Sequence, residues 1–548
     1  MRLVVGCVLM GGLVAAGGAI TAASGQKPGG AAESAGAATP AATPAVTAPA
    51  TPAPATPATP AAEEAPIVTH HEVHSGNRTL RYTATVGRMP IKSEKGDLDA
   101  SIFYVAYTLD GVANASRRPL MFSFNGGPGS SSVWLHMGAL GPRRVRMLDD
   151  GGMPAPPFAT VENDQTWLDR TDLVFIDPVG TGYSRPAKPE LGSKFWNLDG
   201  DIQSVGEFIR LYLTRSHRWT SPLFLVGESY GTTRAAGLAG HLIDRGIAFN
   251  GIVLVSSILN FQTVEFTKGN DLPFVLYLPT YAATAWYHKR LAPDLQADLP
   301  ATLKQVEAYA IGPYAAALAS GDRLSDAERQ EVAQTVARFT GLTPDYVALS
   351  DLRIEIQRFC KELLRSQRRT VGRLDSRFTG IDDLGVGSEP DYDPSLAAIR
   401  PPFTAAFQQY VGTELNFTSD EPYHILGGGF TQWSWNRDNS FVDTAEALRR
   451  TFARNPHMRL FVASGYYDLA TPYFATAYTL SHLGLDPSLR TRVSGERYRA
   501  GHMMYIDQQE LARLRSDVGA FIDRAIESSP SPGAAEAPAT GSGHANFR

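Results

Sequence analysis

Gly227-Glu228-Ser229-Tyr230-Gly231 sets a serine between glycines, directly after the apolar run PLFLVG (222–227) and directly before a helical pattern, Thr232 to Arg245. A strand that turns through glycines straight into a helix presents the serine hydroxyl at the strand's C-terminal end, beneath the positive end of the helix. A hydroxyl held there suits nucleophilic acyl transfer. In its neutral form it is a weak nucleophile, so a base must accept its proton and a carboxylate must hold that base in the right tautomer. Where this elbow occurs, the acid and then the histidine follow the serine in the chain. His502 lies in the loop Ala500-Gly501-His502-Met503, after the strand-like TRVSGERYR and ahead of the last helical pattern, and is the expected base. The other histidines after Ser229 are worse placed: His288 and His424 fall in a helical insertion, His457 precedes a strand, His482 sits on a helical pattern, and His544 is in the C-terminal tail. Asp468, in Ser464-Gly465-Tyr466-Tyr467-Asp468 just past the run RLFVAS, stands between serine and histidine and is the expected acid. Asp177 also ends an apolar run, but it precedes Ser229 and opens the turn-rich Asp177-Pro178-Val179-Gly180-Thr181-Gly182, so it is read as structural.

Acyl transfer also needs N–H donors aimed at the developing oxyanion. Tyr230, the residue after the nucleophile, supplies one. The glycine-rich stretch Asn125-Gly126-Gly127-Pro128-Gly129-Ser130-Ser131-Ser132 follows the run PLMFSF (119–124) and is a source for another; it lacks the Lys-Ser/Thr ending of a nucleotide-binding loop.

The elements that must position these groups are short apolar runs followed by helical stretches. PLMFSF, DLVFID (172–177), PLFLVG, GIVLVS (251–256) and RLFVAS (459–464) have the continuous apolar character of strands buried on both faces. Helical patterns such as Asp201 to Thr214 between them fit crossovers, and hence a mostly parallel sheet with helices on both faces. Helical patterning dominates about 262–455, as in SDAERQEVAQTVARF and DLRIEIQRFCKELLRSQ, which is expected to be an insertion capping the sheet.

With these motifs in hand, the sequence resembles the serine carboxypeptidases, in which NGGPG, GESYG and a C-terminal GHM accompany one another. The likeness covers about residues 80–525 and rests on NGGPGSSS (125–132), LGPRRV (140–145), DPVGTGYS (177–184), GESYG (227–231), Asp468 and AGHMMY (500–505). The resemblance implies an α/β-hydrolase fold and a triad of Ser229, Asp468 and His502. It implies the N–H groups of Gly127 and Tyr230 as oxyanion donors, and Asn125 with Glu228 as the receptor of a substrate's terminal carboxylate. It further implies peptide substrates with a free C-terminus, cleaved through an acyl-enzyme on Ser229, and side-chain pockets shaped by a cap that includes LPTYAATAWYHKRLA (278–292). Family members often carry Trp two residues before the NGGPG asparagine, Cys after its last glycine and Glu two residues before the later Gly-Pro. Ser123, Ser130 and Ala139 stand there here, which removes two supports of carboxylate recognition. An esterase or acyltransferase with the same triad, and a catalytically silent exported binding protein, are the alternatives.

The remaining features concern the chain around this body. Residues 1–23 carry Arg2, an apolar run and a small-residue end, the order of a signal peptide, so export to a periplasm or medium is expected, with no stable membrane insertion after cleavage. Residues 24–66 and 528–548, rich in Ala, Pro, Thr and Gly, are expected to be a disordered linker and tail around a body at 67–527. The 50 basic and 55 acidic side chains nearly balance, so charge points to no nucleic-acid partner. Cys7 and Cys360 are the only cysteines, and Cys7 leaves with the signal, so no internal disulfide is expected. His70, His71 and His74 at the linker's edge are read as a solvated run, and no metal or organic cofactor is expected.

Overall fold

The structure, a computed structural model, describes residues 64–430 and 432–527; the expected signal segment, nearly all of the linker and the tail lie outside them. The apolar runs form strands β4 (Leu120–Phe124), β5 (Asp172–Ile176), β6 (Leu223–Ser229), β7 (Gly251–Ser257) and β8 (Arg459–Gly465) of one large sheet, continued by β9 (Val493–Tyr498). Ahead of them come three strands that the sequence reading did not single out: β1 (Ile67–Ser75), β2 (Arg78–Lys92) and β3 (Leu98–Leu109). The order across the sheet is β1-β2-β3-β5-β4-β6-β7-β8-β9, with the two-residue strand Arg185–Pro186 paired on β3. β1, β2, β3 and β5 pair antiparallel, whereas every pairing from β5 to β9 is parallel. This is the α/β-hydrolase fold expected from the sequence, a mostly parallel central sheet flanked by helices and carrying a mainly helical insertion.

Alternate residues of the parallel strands feed two cores. Phe122, Val174, Leu225, Leu254 and Leu460 face one, packed under helices α1 (Leu198–Arg215) and α2 (Tyr230–Ile243). α1 starts where Asn197 accepts a hydrogen bond from the Gly200 N–H at 2.8 Å, with Asp199 and Asp201 in its first turn complementing the helix dipole. Met121, Phe175, Val226, Val255 and Phe461 face the other core.

The insertion divides between separate cores. Helices α3 (Leu272–Tyr287) and α4 (Asp326–Thr340) pack together around Leu276, Tyr281, Val336 and Phe359 in a third core. A Ser325/Glu328 capping box opens α4 and Gly341, at φ 70°, closes it. The pattern DLRIEIQRFCKELLRSQ yields a short helix, Ile356–Glu362, because the chain leaves it for a 3₁₀ turn and a small hairpin. By contrast α5 (Pro394–Thr413) sends Phe403 and Phe407 into the second sheet core, and α6 (Ala445–Arg454) sends Leu448 and Phe452 into the first. The stretch 262–455 is therefore only partly a separately packed cap. The C-terminal helix α7 (Gln508–Glu527) joins the second sheet core through Leu514, Val518 and Phe521. Among the described residues no helix is long and apolar enough to cross a membrane. Cys360 is buried and its thiol is pushed well up by burial.

Candidate active site

β6 runs through Gly227 and Glu228 into Ser229, which takes φ 59° and ψ −131° before α2 begins at Tyr230. A positive φ at a non-glycine residue costs on the order of 1–3 kcal/mol and persists only where its surroundings leave no alternative. The surroundings here are backbone. A Cβ on Gly227 would lie 2.2 Å from the Gly231 carbonyl oxygen, and one on Gly126 would lie 2.5 Å from the Tyr230 nitrogen. The glycine-rich loop thus rests directly on the elbow. Tyr230 N–H, at the first residue of α2, has no partner in the helix ladder, and Gly127 follows the point of contact at φ 102°.

His502 and Asp468 come from loops after β9 and β8. His502 Nδ1 lies 2.8 Å from Asp468 Oδ2, and both side chains are buried. Asp468 also accepts from the Ala470 N–H at 2.8 Å, the Thr471 N–H at 3.0 Å and the Thr471 hydroxyl at 2.7 Å, so it cannot rotate away. With Nδ1 donating to Asp468, Nε2 of a neutral ring is left as the acceptor. Burial pulls the His502 pKa down, but the charge and hydrogen bond of Asp468, with a smaller push from Glu228, outweigh burial and the nearby Arg373, leaving it above its ordinary value. The end of β7 ties this loop to the elbow: Ser257 is the register partner of Ser229, and the Ser256 hydroxyl donates to the His502 carbonyl at 2.6 Å.

Glu228 and Asn125 are also brought together, with Asn125 Nδ2 donating to Glu228 Oε1 at 2.9 Å. Asn125 is fixed at three atoms. Its Oδ1 accepts from the Leu135 N–H at 3.1 Å, which forces the amide nitrogen toward Glu228, and its carbonyl accepts from Arg234 Nη1 at 2.6 Å. Burial pushes the Glu228 carboxyl up to about 7, against the charge of His502 and the hydrogen bonds from Tyr505 and Asn125, with a small added push from Asp468.

Several supports carry no motif and went unread in the sequence. Arg234 is wholly buried, donates to Asp201 at 2.8 Å, and stacks over Phe124 and Tyr230, bracing the loop against α2. Asp375, in the chain between the strands of the small hairpin, accepts from the Gly501 N–H at 3.0 Å, while the Leu374 carbonyl accepts from the His502 N–H at 2.7 Å. Arg377 holds Asp375 at 2.8 Å and Asp507 at 3.0 Å, so the insertion clamps the histidine loop from outside the sheet. At the place where family members often have Cys, Ser130 is tied to the segment His424–Gly427 by main-chain contact: Ser131 N–H to the Ile425 carbonyl at 3.1 Å and Gly427 N–H to the Gly129 carbonyl at 3.0 Å. Asp177 caps the end of the glycine loop, accepting from both the N–H and the hydroxyl of Ser132 at 2.8 Å; burial raises its pKa to about 6 against those two bonds.

The three N-terminal histidines sit on β1, with His70 and His74 exposed and His71 part-buried. His70 and His74 lie on one face, the latter 3.0 Å from Glu162, and His71 lies on the other, stacked on Tyr82. Alternation along a strand separates them. Among the described residues no group of three or more side chains is arranged to hold a metal ion.

The family model for serine carboxypeptidases matches residues 84–355, which contain the glycine loop and the elbow. Serine carboxypeptidase-like 9 of Arabidopsis thaliana is 25% identical over 223 residues, which are 38% of this chain and 48% of that protein. Serine carboxypeptidase-like 35 of the same plant is 23% identical over 401 residues, 70% of this chain and 73% of that protein. The match thus spans about half the length of the first relative and nearly three quarters of the second. In structure, the chain is similar to KEX1, a prohormone-processing carboxypeptidase from Saccharomyces cerevisiae, with a TM-score of 0.50 at 16% identity over 80% of this chain and 91% of that one, a likeness of fold. The motifs, the fold and the family match agree in what this chain is similar to: the serine carboxypeptidase family.

Proposed function

We propose that this chain is a serine-type carboxypeptidase that releases C-terminal residues of peptides through an acyl-enzyme on Ser229. The observation that carries the reading is the buried Glu228–Asn125 pair: a carboxyl group that burial keeps protonated to about pH 7, next in the chain to the nucleophile and bonded to the loop that lies on the elbow. Hydrolysis of an ester or an internal peptide bond does not call for a receptor of a terminal carboxylate. A substrate whose terminal carboxylate must sit one residue beyond the scissile carbonyl does, since a protonated Glu228 donates to that carboxylate and an ionised one repels it.

The proposed steps use these groups in turn. His502 Nε2 takes the Ser229 proton as Oγ attacks the carbonyl carbon, and Asp468 stabilises the imidazolium through Nδ1–H. The oxyanion is received by the N–H groups of Gly127 and Tyr230. The tetrahedral intermediate collapses as His502 hands its proton to the leaving amine, which departs as the free C-terminal residue. Water, deprotonated in turn by His502, then attacks the acyl-enzyme, and the second collapse returns the proton to Ser229.

This arrangement places two opposed requirements on pH. His502 must be neutral to act, which favours pH above its raised pKa, whereas Glu228 must be protonated to bind, which favours pH below about 7. Because the two groups face each other they titrate as a coupled pair. For an N-blocked dipeptide, KM should rise about tenfold for each pH unit above the Glu228 midpoint, while KM for its C-terminal amide stays flat. The acid-side loss of kcat should be common to both substrates. Steady-state kinetics from pH 5 to 9 on wild type and Glu228→Gln tests this: the glutamine variant should lose the rise in KM. A rise that persists unchanged in Glu228→Gln would remove Glu228 from the role.

A further inference from the structure

Tyr505 stands three residues after His502, in the turn Met504–Ile506, and is fully buried. Its hydroxyl donates to Glu228 Oε2 at 2.6 Å, across 277 residues of chain. The ring fits where Gly138 offers no side chain, since a Cβ there would lie 2.5 Å from Tyr505 Cε2. Gly138 adjoins Ala139, the small residue at one of the places where the sequence departs from its relatives. A side chain from the far end of the chain therefore fills this space and brings a hydroxyl to the carboxyl group.

We propose that Tyr505 is a specificity-determining positioning residue, holding the Glu228 carboxyl so that its proton faces the terminal carboxylate of the bound peptide. The inference rests on the reading of Glu228 as carboxylate receptor and adds the group that orients it. Each oxygen of Glu228 already accepts one hydrogen bond from inside the protein, Oε1 from Asn125 at 2.9 Å and Oε2 from Tyr505. The Asn125 amide cannot reverse, because Leu135 N–H occupies its oxygen. With both inner partners donating, each Glu228 oxygen keeps a lone pair for the proton, and on this proposal that proton faces the substrate. The charged and titratable groups facing Glu228 are His502, Asp468 and Tyr505 itself. Of these, Tyr505 favours the ionised carboxylate by its hydrogen bond, as does the charge of His502, whereas Asp468 opposes it. Tyr505 therefore helps to set the pH at which the receptor switches from attracting to repelling a peptide terminus.

The sign of the effect is fixed by this chemistry. Removing the hydroxyl withdraws a bond that favours ionised Glu228, so Tyr505→Phe should hold its proton to higher pH. The pH midpoint at which KM for an N-blocked dipeptide begins to rise should move up by about one unit. Replacing Tyr505 with difluorotyrosine, a stronger donor of the same shape, should move it down. The C-terminal amide, lacking the charge, should show no such midpoint in any of the proteins. The measurement is KM against pH for the dipeptide and its amide with the full-length wild type, both Tyr505 variants and Glu228→Gln, with circular dichroism confirming that each is folded. A wild-type midpoint in folded Tyr505→Phe overturns the inference alone, and if that variant does not fold, an unshifted midpoint in the difluorotyrosine protein does so. A wild type whose KM for the free peptide does not depend on pH, or depends on it equally in Glu228→Gln, brings down the Glu228 reading and this inference with it.

Discussion

Ser229→Ala and His502→Ala should each lower turnover of a blocked dipeptide by about 10,000-fold or more while the protein stays folded, and the double variant should be little worse than either single one. On the proposed mechanism Ser229 and His502 act as one unit: without the hydroxyl no acyl-enzyme forms, and without the imidazole the hydroxyl keeps its proton. What survives is the contribution proposed for the oxyanion donors and for substrate binding by Glu228 and Asn125. KM should therefore change little in Ser229→Ala. Neither residue belongs to the three apolar cores, and Ser229→Ala relieves none of the elbow's backbone constraint, because the contacts of Gly126 and Gly227 that impose it are main-chain. A residual rate within about tenfold of wild type in either variant would place the nucleophile or base elsewhere.

Asp468→Asn should cost about 10,000-fold in kcat, for a reason that the hydrogen-bond count makes specific. Asp468 accepts four bonds, from the Ala470 and Thr471 N–H groups, the Thr471 hydroxyl and His502 Nδ1. Two backbone donors demand an acceptor at Oδ1, so the amide nitrogen of an asparagine is driven to the Oδ2 side, where it faces His502 Nδ1. A donor there stabilises the tautomer whose proton is on Nε2, and that ring cannot accept from Ser229. The loss should fall on kcat and be only partly recovered at high pH. Measuring kcat and KM against pH for Asp468→Asn checks it; activity near wild type would mean that a different carboxylate holds the base.

How far the site was legible in the sequence depended on how local its signals are. The parallel strands β4 to β8 were readable because burial on both faces leaves continuous apolar runs. β1 to β3 were not singled out. β1, IVTHHEVHS, buries alternate residues only and carries charged and imidazole side chains between them, so it gave no apolar run, although its period of two was present. The elbow, the glycine loop and the histidine loop carry motifs because close backbone approach admits few residue types, as Gly126 against Tyr230 illustrates.

The supports of the site lack such constraint at the level of short spacing. Tyr505 stood within the motif AGHMMY, but its partner Glu228 is far away in the chain and only the fold joins them. Asp375 and Arg377 lay in a stretch that reads as polar loop within a helical insertion. Their role comes from where the insertion folds back onto Gly501. How the helices of the insertion divide among the cores is hidden in the sequence for a related reason. The apolar stripes of α5 and α6 look like those of α3 and α4, and a stripe alone does not say which of three cores it enters.

The central claim, that a serine hydrolase here recognises a free peptide C-terminus, is tested most directly by product analysis. An N-blocked dipeptide and its C-terminal amide, offered to wild type below about pH 7 where Glu228 keeps its proton, should differ in kcat/KM by about 100-fold or more in favour of the free acid, because the amide leaves the buried receptor without its partner. Mass spectrometry should find the free C-terminal amino acid and the N-blocked residue in equal amounts. Equal cleavage of acid and amide, or no cleavage of either, would contradict the account.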